Sequence, residues 1–196
     1  MKHDGKKVIL VDMDDTIEDF SSVWIESLNK IYGGNYSTDD IHDWEISNIY
    51  PNLTKQEKLE PLHKSGFWKK VKPLPGAVEY LKKLQDEGFD VFIVTATDYR
   101  TVKAKVEHVL NRYFPFIDSR HFITTHYKSL LKADILVDDH IQNLVYGDYE
   151  KILFTANHNK DFDDVFPRTN IYRVDNWEEC YIMIHRVLGV KRSMKW

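Results

Sequence analysis

A chain of 196 residues, 42% hydrophobic and 30% charged, carries enough apolar surface for one core and enough polar surface to stay in solution. Its formal charge of -4 and pI of about 6.1 argue against a nucleic acid polymer as partner, because binding a phosphate backbone calls for a basic face. The lone Cys180 rules out an intramolecular disulfide or a CxxC zinc pair and reads as a packed thiol.

The first strand signal is Val8-Ile9-Leu10-Val11, an apolar run stopped by Asp12 and far too short for a signal peptide or a membrane span. A cytoplasmic protein without membrane association is therefore expected. Residues 20–72 carry no strand signal but hold Trp24, Trp44 and Trp68, three of the five tryptophans. They are expected to form a small helical cap inserted after strand one, leaving 1–19 and 73–196 as the core. A helix is predicted from Gly76 to Gln85, with Val78, Leu81 and Leu84 on one side, Pro73 and Pro75 ahead and Gly88 behind.

Val91-Phe92-Ile93-Val94 follows as a strand, and Thr101 to Tyr113 as a helix with Val102, Val106, Val109 and Leu110 on its stripe. Short strands are then predicted at Phe122-Ile123, Ile135-Leu136-Val137, Ile152-Leu153-Phe154 and Ile171-Tyr172. A last helix runs from Trp177 to Leu188, with Asp175 or Asn176 as N-cap and Gly189 as its stop. Uninterrupted apolar strands suit a parallel sheet covered on both faces. Their alternation with helices predicts an α/β fold, a Rossmann-like doubly wound sheet. The basic residues Lys191, Arg192 and Lys195 read as a solvated end.

Four polar clusters stand at or just after the carboxyl ends of these strands: Asp12-Met13-Asp14-Asp15-Thr16, Thr95-Ala96-Thr97, Lys128, and Asp138-Asp139. In a parallel sheet those ends share one edge, so groups distant in sequence can converge. Asp12 and Asp14, two apart where the chain must turn, can divide nucleophile and proton-donor roles. A hard cation held by Asp12 with Asp138 or Asp139 would relieve the crowding of carboxylates beside an anionic substrate, and magnesium suits oxygen ligands. Lys128 and Thr95 offer a charge and a hydroxyl for phosphoryl oxygens.

Each cluster alone has a plain structural reading, as turn, cap or solvated residue. A calcium loop is excluded at Asp12 to Thr16, since Ile17 stands where that loop needs glycine and Val23 where it needs glutamate. No Gly-x-Ser-x-Gly elbow, P-loop or dinucleotide fingerprint is present, and the histidines show no metal-site spacing. His140 and His158 are expected near the site in supporting or solvent-facing roles.

These motifs resemble those of the haloacid dehalogenase-like superfamily: DMDDT the first, Thr95 the second, Lys128 the third and Asp138-Asp139 the fourth. Within it, VDMDDTIEDF, PLPGAVEYLKKL, DVFIVTA, KSLLKADILVDD and KILFTANHN are similar to segments of the 5'(3')-deoxyribonucleotidase family. The resemblance implies magnesium-dependent hydrolysis of deoxynucleoside monophosphates through an aspartyl-phosphate. It implies Asp12 as nucleophile and Asp14 as general acid and base. It further implies metal ligation by Asp12, the carbonyl of Asp14 and Asp139, with Asp138 behind them. Thr95, Ala96 and Lys128 would bind the phosphoryl group, and Phe20 and Trp44 the nucleoside.

Two departures stand out, Asp15 where the superfamily commonly has glycine, and Asp43 and Glu45 flanking Trp44. A small nucleotide is the expected partner, and homodimerisation stays open. The alternatives are a phosphatase of another small metabolite, a phosphoacceptor signalling domain, and a nucleotide-binding module without turnover.

Overall fold

The computed structural model describes residues 5–42, 44, 49–64, 66–160 and 170–189; Asp43, Glu45 and the basic end lie outside them. Six strands, β1 (Val8–Val11), β2 (Asp90–Thr95), β3 (Phe122–Thr124), β4 (Ile135–Asp138), β5 (Glu150–Phe154) and β6 (Ile171–Val174), form one sheet in the order β3-β2-β1-β4-β5-β6. Every pairing is parallel. The α/β, doubly wound expectation thus holds, and the strand order reverses direction between β1 and β4, where such sheets open a crevice at their carboxyl edge.

The period of two along each strand splits its apolar residues between two cores. Ile9, Val11, Ile93, Val137 and Ile152 enter one cluster, with α3 (Ala77–Asp86) and α7 (Trp177–Val187) packed over it. Val8, Leu10, Val94, Leu136 and Leu153 enter the other, under α6 (Ile141–Val145). Strands buried on both faces must be apolar at every position, which is why they read as unbroken runs.

The helix boundaries follow local chemistry. Gly76, with φ of 80°, stands in the left-handed region and starts α3 one residue later than expected. At α7 it is Asn176, not Asp175, whose side chain accepts the Glu179 N–H, at 2.9 Å. The helix expected from Thr101 begins at Tyr99, where the Asp98 carboxylate accepts the Arg100 N–H. It runs as α4 (Tyr99–Lys105), then a π turn (Val106–Leu110), then α5 (Asn111–Tyr113). Its buried line is Thr101, Lys105 and Val109, whereas Val102 and Val106 are only partly buried. Cys180 is fully buried among apolar groups, which push its thiol pKa up.

Residues 20–72 contain α1 (Phe20–Tyr32), α2 (Lys55–Leu59), short 3-10 turns and, among the described residues, no strand. Ile25, Leu28, Ile41, Ile49 and Tyr50 form their own small core. Phe20, Phe67, Trp68 and Val71 instead join the large cluster beneath, and Trp24 packs against both. Two antiparallel crossings enter and leave this segment: Asp19 N–H donates to the Lys72 carbonyl and Leu74 N–H to the Ile17 carbonyl, each at 2.9 Å.

Candidate active site

Asp12 directly follows β1 and Asp138 ends β4, adjacent strands at the reversal of strand order. Lys128, 2% exposed, projects between them; its ammonium donates to Asp12 and, at 2.6 Å, to Asp138. Burial works against that ammonium, but Asp12 and Asp138 more than offset it and hold its pKa above the ordinary lysine value. Asp138 also accepts from His140 N–H at 2.9 Å and from the Asn143 amide at 3.0 and 3.2 Å. It is completely buried and does not line the cavity, while Asp12 and Asp139 do.

A second lysine completes the arrangement. Lys105, 1% exposed, reaches Asp14 at 2.6 Å to each carboxylate oxygen and the Thr95 hydroxyl at 3.0 Å. Thr95 is therefore buried beneath Lys105, off the cavity wall, whereas Ala96 and Thr97 stand on it. Reasoning from sequence missed Lys105. The available signal was a lysine four residues from Thr101 and from Val109, on the buried line of a helix where a solvated lysine does not belong.

Two acidic neighbours add to the charge. Asp15, with φ of 52°, adopts the left-handed conformation that asparagine and aspartate tolerate best after glycine. Its carboxylate accepts from Phe20 N–H at 3.1 Å, Ser21 N–H at 2.9 Å and the Ser21 hydroxyl, so it braces the start of α1. Burial raises it to about 6 against the pull of those bonds. Glu18 is fully buried, and neither of its oxygens has a hydrogen-bond partner among the described residues. Burial first, and then the Asp14 carboxylate it faces, push its pKa well above the ordinary value.

Above these groups lies a cavity of about 450 Å³ walled by Phe20, Trp24, Trp44, Trp68, His63 and His126, among others. Phe20 packs against Trp24, Phe67 and Trp68 with ring centroids 5.6–5.9 Å apart. The indole N–H groups of Trp24 and Trp68 donate to the Lys58 and Leu62 carbonyls, which fixes the planes of both rings. Trp44 reaches the same cavity and lies on the His140 ring, with centroids 3.7 Å apart. His140 and His158 both line the cavity. Burial lowers the pKa of each, His140 to about 4, which favours the neutral imidazole.

The carboxylates of this edge form a donor set for a cation. Asp12, Asp138 and Asp139 each offer an oxygen, all within 4.8 Å of one another. Burial drives Asp12 up to about 7 despite Lys128, and lifts Asp139 well above the carboxylate range. Six carboxyl groups (Asp12, Asp14, Asp15, Glu18, Asp138 and Asp139) thus surround two ammonium groups, Lys105 and Lys128. A buried excess of anionic hard oxygen donors is what a divalent cation of the magnesium type neutralises, and the residues fit one.

The fold is the one found in solved haloacid dehalogenase-like hydrolases. A hydrolase of that family from Deinococcus radiodurans, solved with bound phosphate and sodium, superposes with a TM-score of 0.68 at 11% identity, covering 94% of this chain and 97% of that one. A haloacid dehalogenase-like hydrolase from Streptococcus pneumoniae gives 0.60 at 12% identity, covering 94% and 100%. The chain belongs to the family described as 5' nucleotidase, deoxy (pyrimidine), cytosolic type C, whose model matches residues 6–191. It is 35% identical over 183 residues to a 5'(3')-deoxyribonucleotidase of Bacillus subtilis, covering 89% of this chain and 96% of that protein. A protein of the same name from Clostridium acetobutylicum is 32% identical over 176 residues, covering 90% and 93%. Family membership makes the chain a phosphoric monoester hydrolase of the 5'-nucleotidase type, as the motifs led one to expect. Among the described residues, no helix is long and apolar enough to cross a membrane.

Proposed function

We propose that the chain hydrolyses deoxynucleoside 5'- or 3'-monophosphates with magnesium, through a phosphoryl group carried on Asp12. One observation carries the reading: Asp12, Asp14, Asp139 and Lys128 converge on a single cavity whose opposite wall is aromatic. Phosphate chemistry sits at one end and flat apolar surface for a nucleobase at the other. Residues 20–72 act as the cap that supplies this wall, hinged at the crossings of 17–19 and 72–74.

In the first step an Asp12 carboxylate oxygen attacks phosphorus and the bond to the ester oxygen breaks. Asp14 delivers its proton to that oxygen, and the nucleoside leaves as an alcohol. Water then attacks the phosphorus of the aspartyl-phosphate and gives a proton to Asp14. The bond to Asp12 breaks, which frees inorganic phosphate and restores the Asp12 carboxylate. Lys128 holds Asp12 in place for attack and meets the phosphoryl oxygens. Lys105 orients Asp14 from below, and Thr95 acts there by holding Lys105. Ala96 stands on the cavity wall, where its backbone would serve the phosphoryl group.

Magnesium, held by Asp12, the Asp14 carbonyl and Asp139, would supply charge neutralisation at the transferring phosphoryl group. Asp138 holds Lys128 and the turn behind it. Phe20 and Trp44 serve the nucleoside end.

The test is phosphate release across a panel of ribo- and deoxynucleoside monophosphates and non-nucleotide phosphate esters, with magnesium and with excess chelator. Turnover of deoxynucleoside monophosphates well above that of the other esters is expected. Equal rates on a sugar phosphate would assign the site to another small metabolite.

A further inference from the structure

Two imidazoles hang from the Asp138-Asp139 pair and form a corner. His140 follows the pair directly, and its backbone N–H is bound to Asp138 at 2.9 Å. The Nε2 of His158 lies 3.2 Å from the Asp139 carbonyl oxygen. The Trp44 indole occupies the corner, flat on His140 (3.7 Å, 13° between planes) and edge-on to His158 (5.0 Å, 80°). Trp44 belongs to the inserted segment and stands three residues after Ile41, which is buried in that segment's own small core. The indole itself is 49% exposed. Among the described residues its ring contacts are with these two imidazoles, which orient it and tie the inserted segment to the loop that follows β4.

We infer that His140 is a positioning residue for substrate binding, which docks the Trp44 side of the cap over the cavity by stacking on Trp44. The inference rests on the nucleotidase reading and deepens it, since it names a contact that holds the Trp44 side of the cap over the cavity. At 3.7 Å the two near-parallel rings are in van der Waals contact across their faces, and that contact is lost if either flat partner is removed. Loss of docking weakens capture of a nucleotide, which must touch both halves. The groups that move protons and phosphoryl oxygens do not depend on it.

The experiment is a double-mutant cycle on His140→Ala and Trp44→Ala, with magnesium and a deoxynucleoside monophosphate. Each single change is expected to raise KM about three- to tenfold with a much smaller change in kcat, and the double variant to be no worse than the poorer single. His140→Phe keeps a flat face and should return KM to within about twofold of the parent. Additive losses in the double variant, a fall in kcat at unchanged KM, or failure of His140→Phe to restore KM would each overturn the assignment. A second measurement needs no substrate: hydrogen–deuterium exchange of the peptide bearing Ile41 and Trp44 should be several-fold faster in His140→Ala and near parental in His140→Phe. Unchanged exchange in His140→Ala would also overturn it. If the parent protein turned over no nucleotide, the nucleotidase reading would fall, and exchange alone would still decide whether His140 docks the cap.

Discussion

Lys105 Nζ lies 2.6 Å from both carboxylate oxygens of Asp14 and 3.0 Å from the Thr95 hydroxyl, at 1% exposure. The group proposed to move protons is therefore clamped from beneath by a cation that no motif announces. The π turn that starts at Val106 directly follows this lysine, and such turns recur where a helix presents a functional side chain.

Lys105→Met should lower kcat/KM for a deoxynucleoside monophosphate by roughly tenfold to a hundredfold, because Asp14 loses the group that orients it. Removing one partner of a buried pair costs about 3–5 kcal/mol, and the lower end applies here because Asp14 keeps a 25% exposed side chain. Steady-state kinetics beside thermal melting separate the two effects. Parental kcat/KM in a folded Lys105→Met protein would remove the positioning role.

Glu18 makes a prediction about stability. Its folded pKa is raised above the ordinary 4.5, so the folded chain binds that proton more tightly than the unfolded chain does. The favourable term is complete below pH 4.5 and is lost as pH rises towards the folded pKa, which leaves Glu18 a net cost at pH 7. Glu18→Gln removes the cost and should melt higher at pH 7, by about 2–4 °C for each kcal/mol recovered. The gap should close as the pH falls to about 4.5. Melting curves across that range check it; a variant less stable than the parent at pH 7 would contradict it.

The two carboxylates of β4 should separate by metal dependence. Asp139 lines the cavity, whereas Asp138 is occupied by Lys128, His140 and Asn143. Asp139→Asn should raise the magnesium concentration for half-maximal turnover by roughly a hundredfold, and Asp138→Asn by less, with its larger effect on melting temperature. Magnesium titrations of both variants give the order. The reverse order would exchange the roles of the pair.

The sheet was legible because a strand buried on both faces must be apolar throughout, and Val8–Val11 could be read without knowing its neighbours. The convergence of Asp12, Asp139 and Lys128 was legible for a related reason: parallel strands place all their carboxyl ends on one edge. Lys105 and Glu18 were not. A lysine in a helix and a glutamate in an acidic run normally face water, and only tertiary packing turns these two inward. The contact of Trp44 with His140 was hidden likewise, since nothing in either local sequence says that 96 residues of chain will fold back to stack them.

The proposed reaction passes phosphate through Asp12. The direct measurement is acid-quenched turnover of a deoxynucleoside monophosphate followed by peptide mass spectrometry. One added phosphoryl group is expected on the peptide carrying Asp12, absent from Asp12→Asn, whose steady-state rate should fall below about a thousandth of the parent's. An unmodified Asp12 peptide together with an Asp12→Asn protein that still releases phosphate at a comparable rate would contradict it.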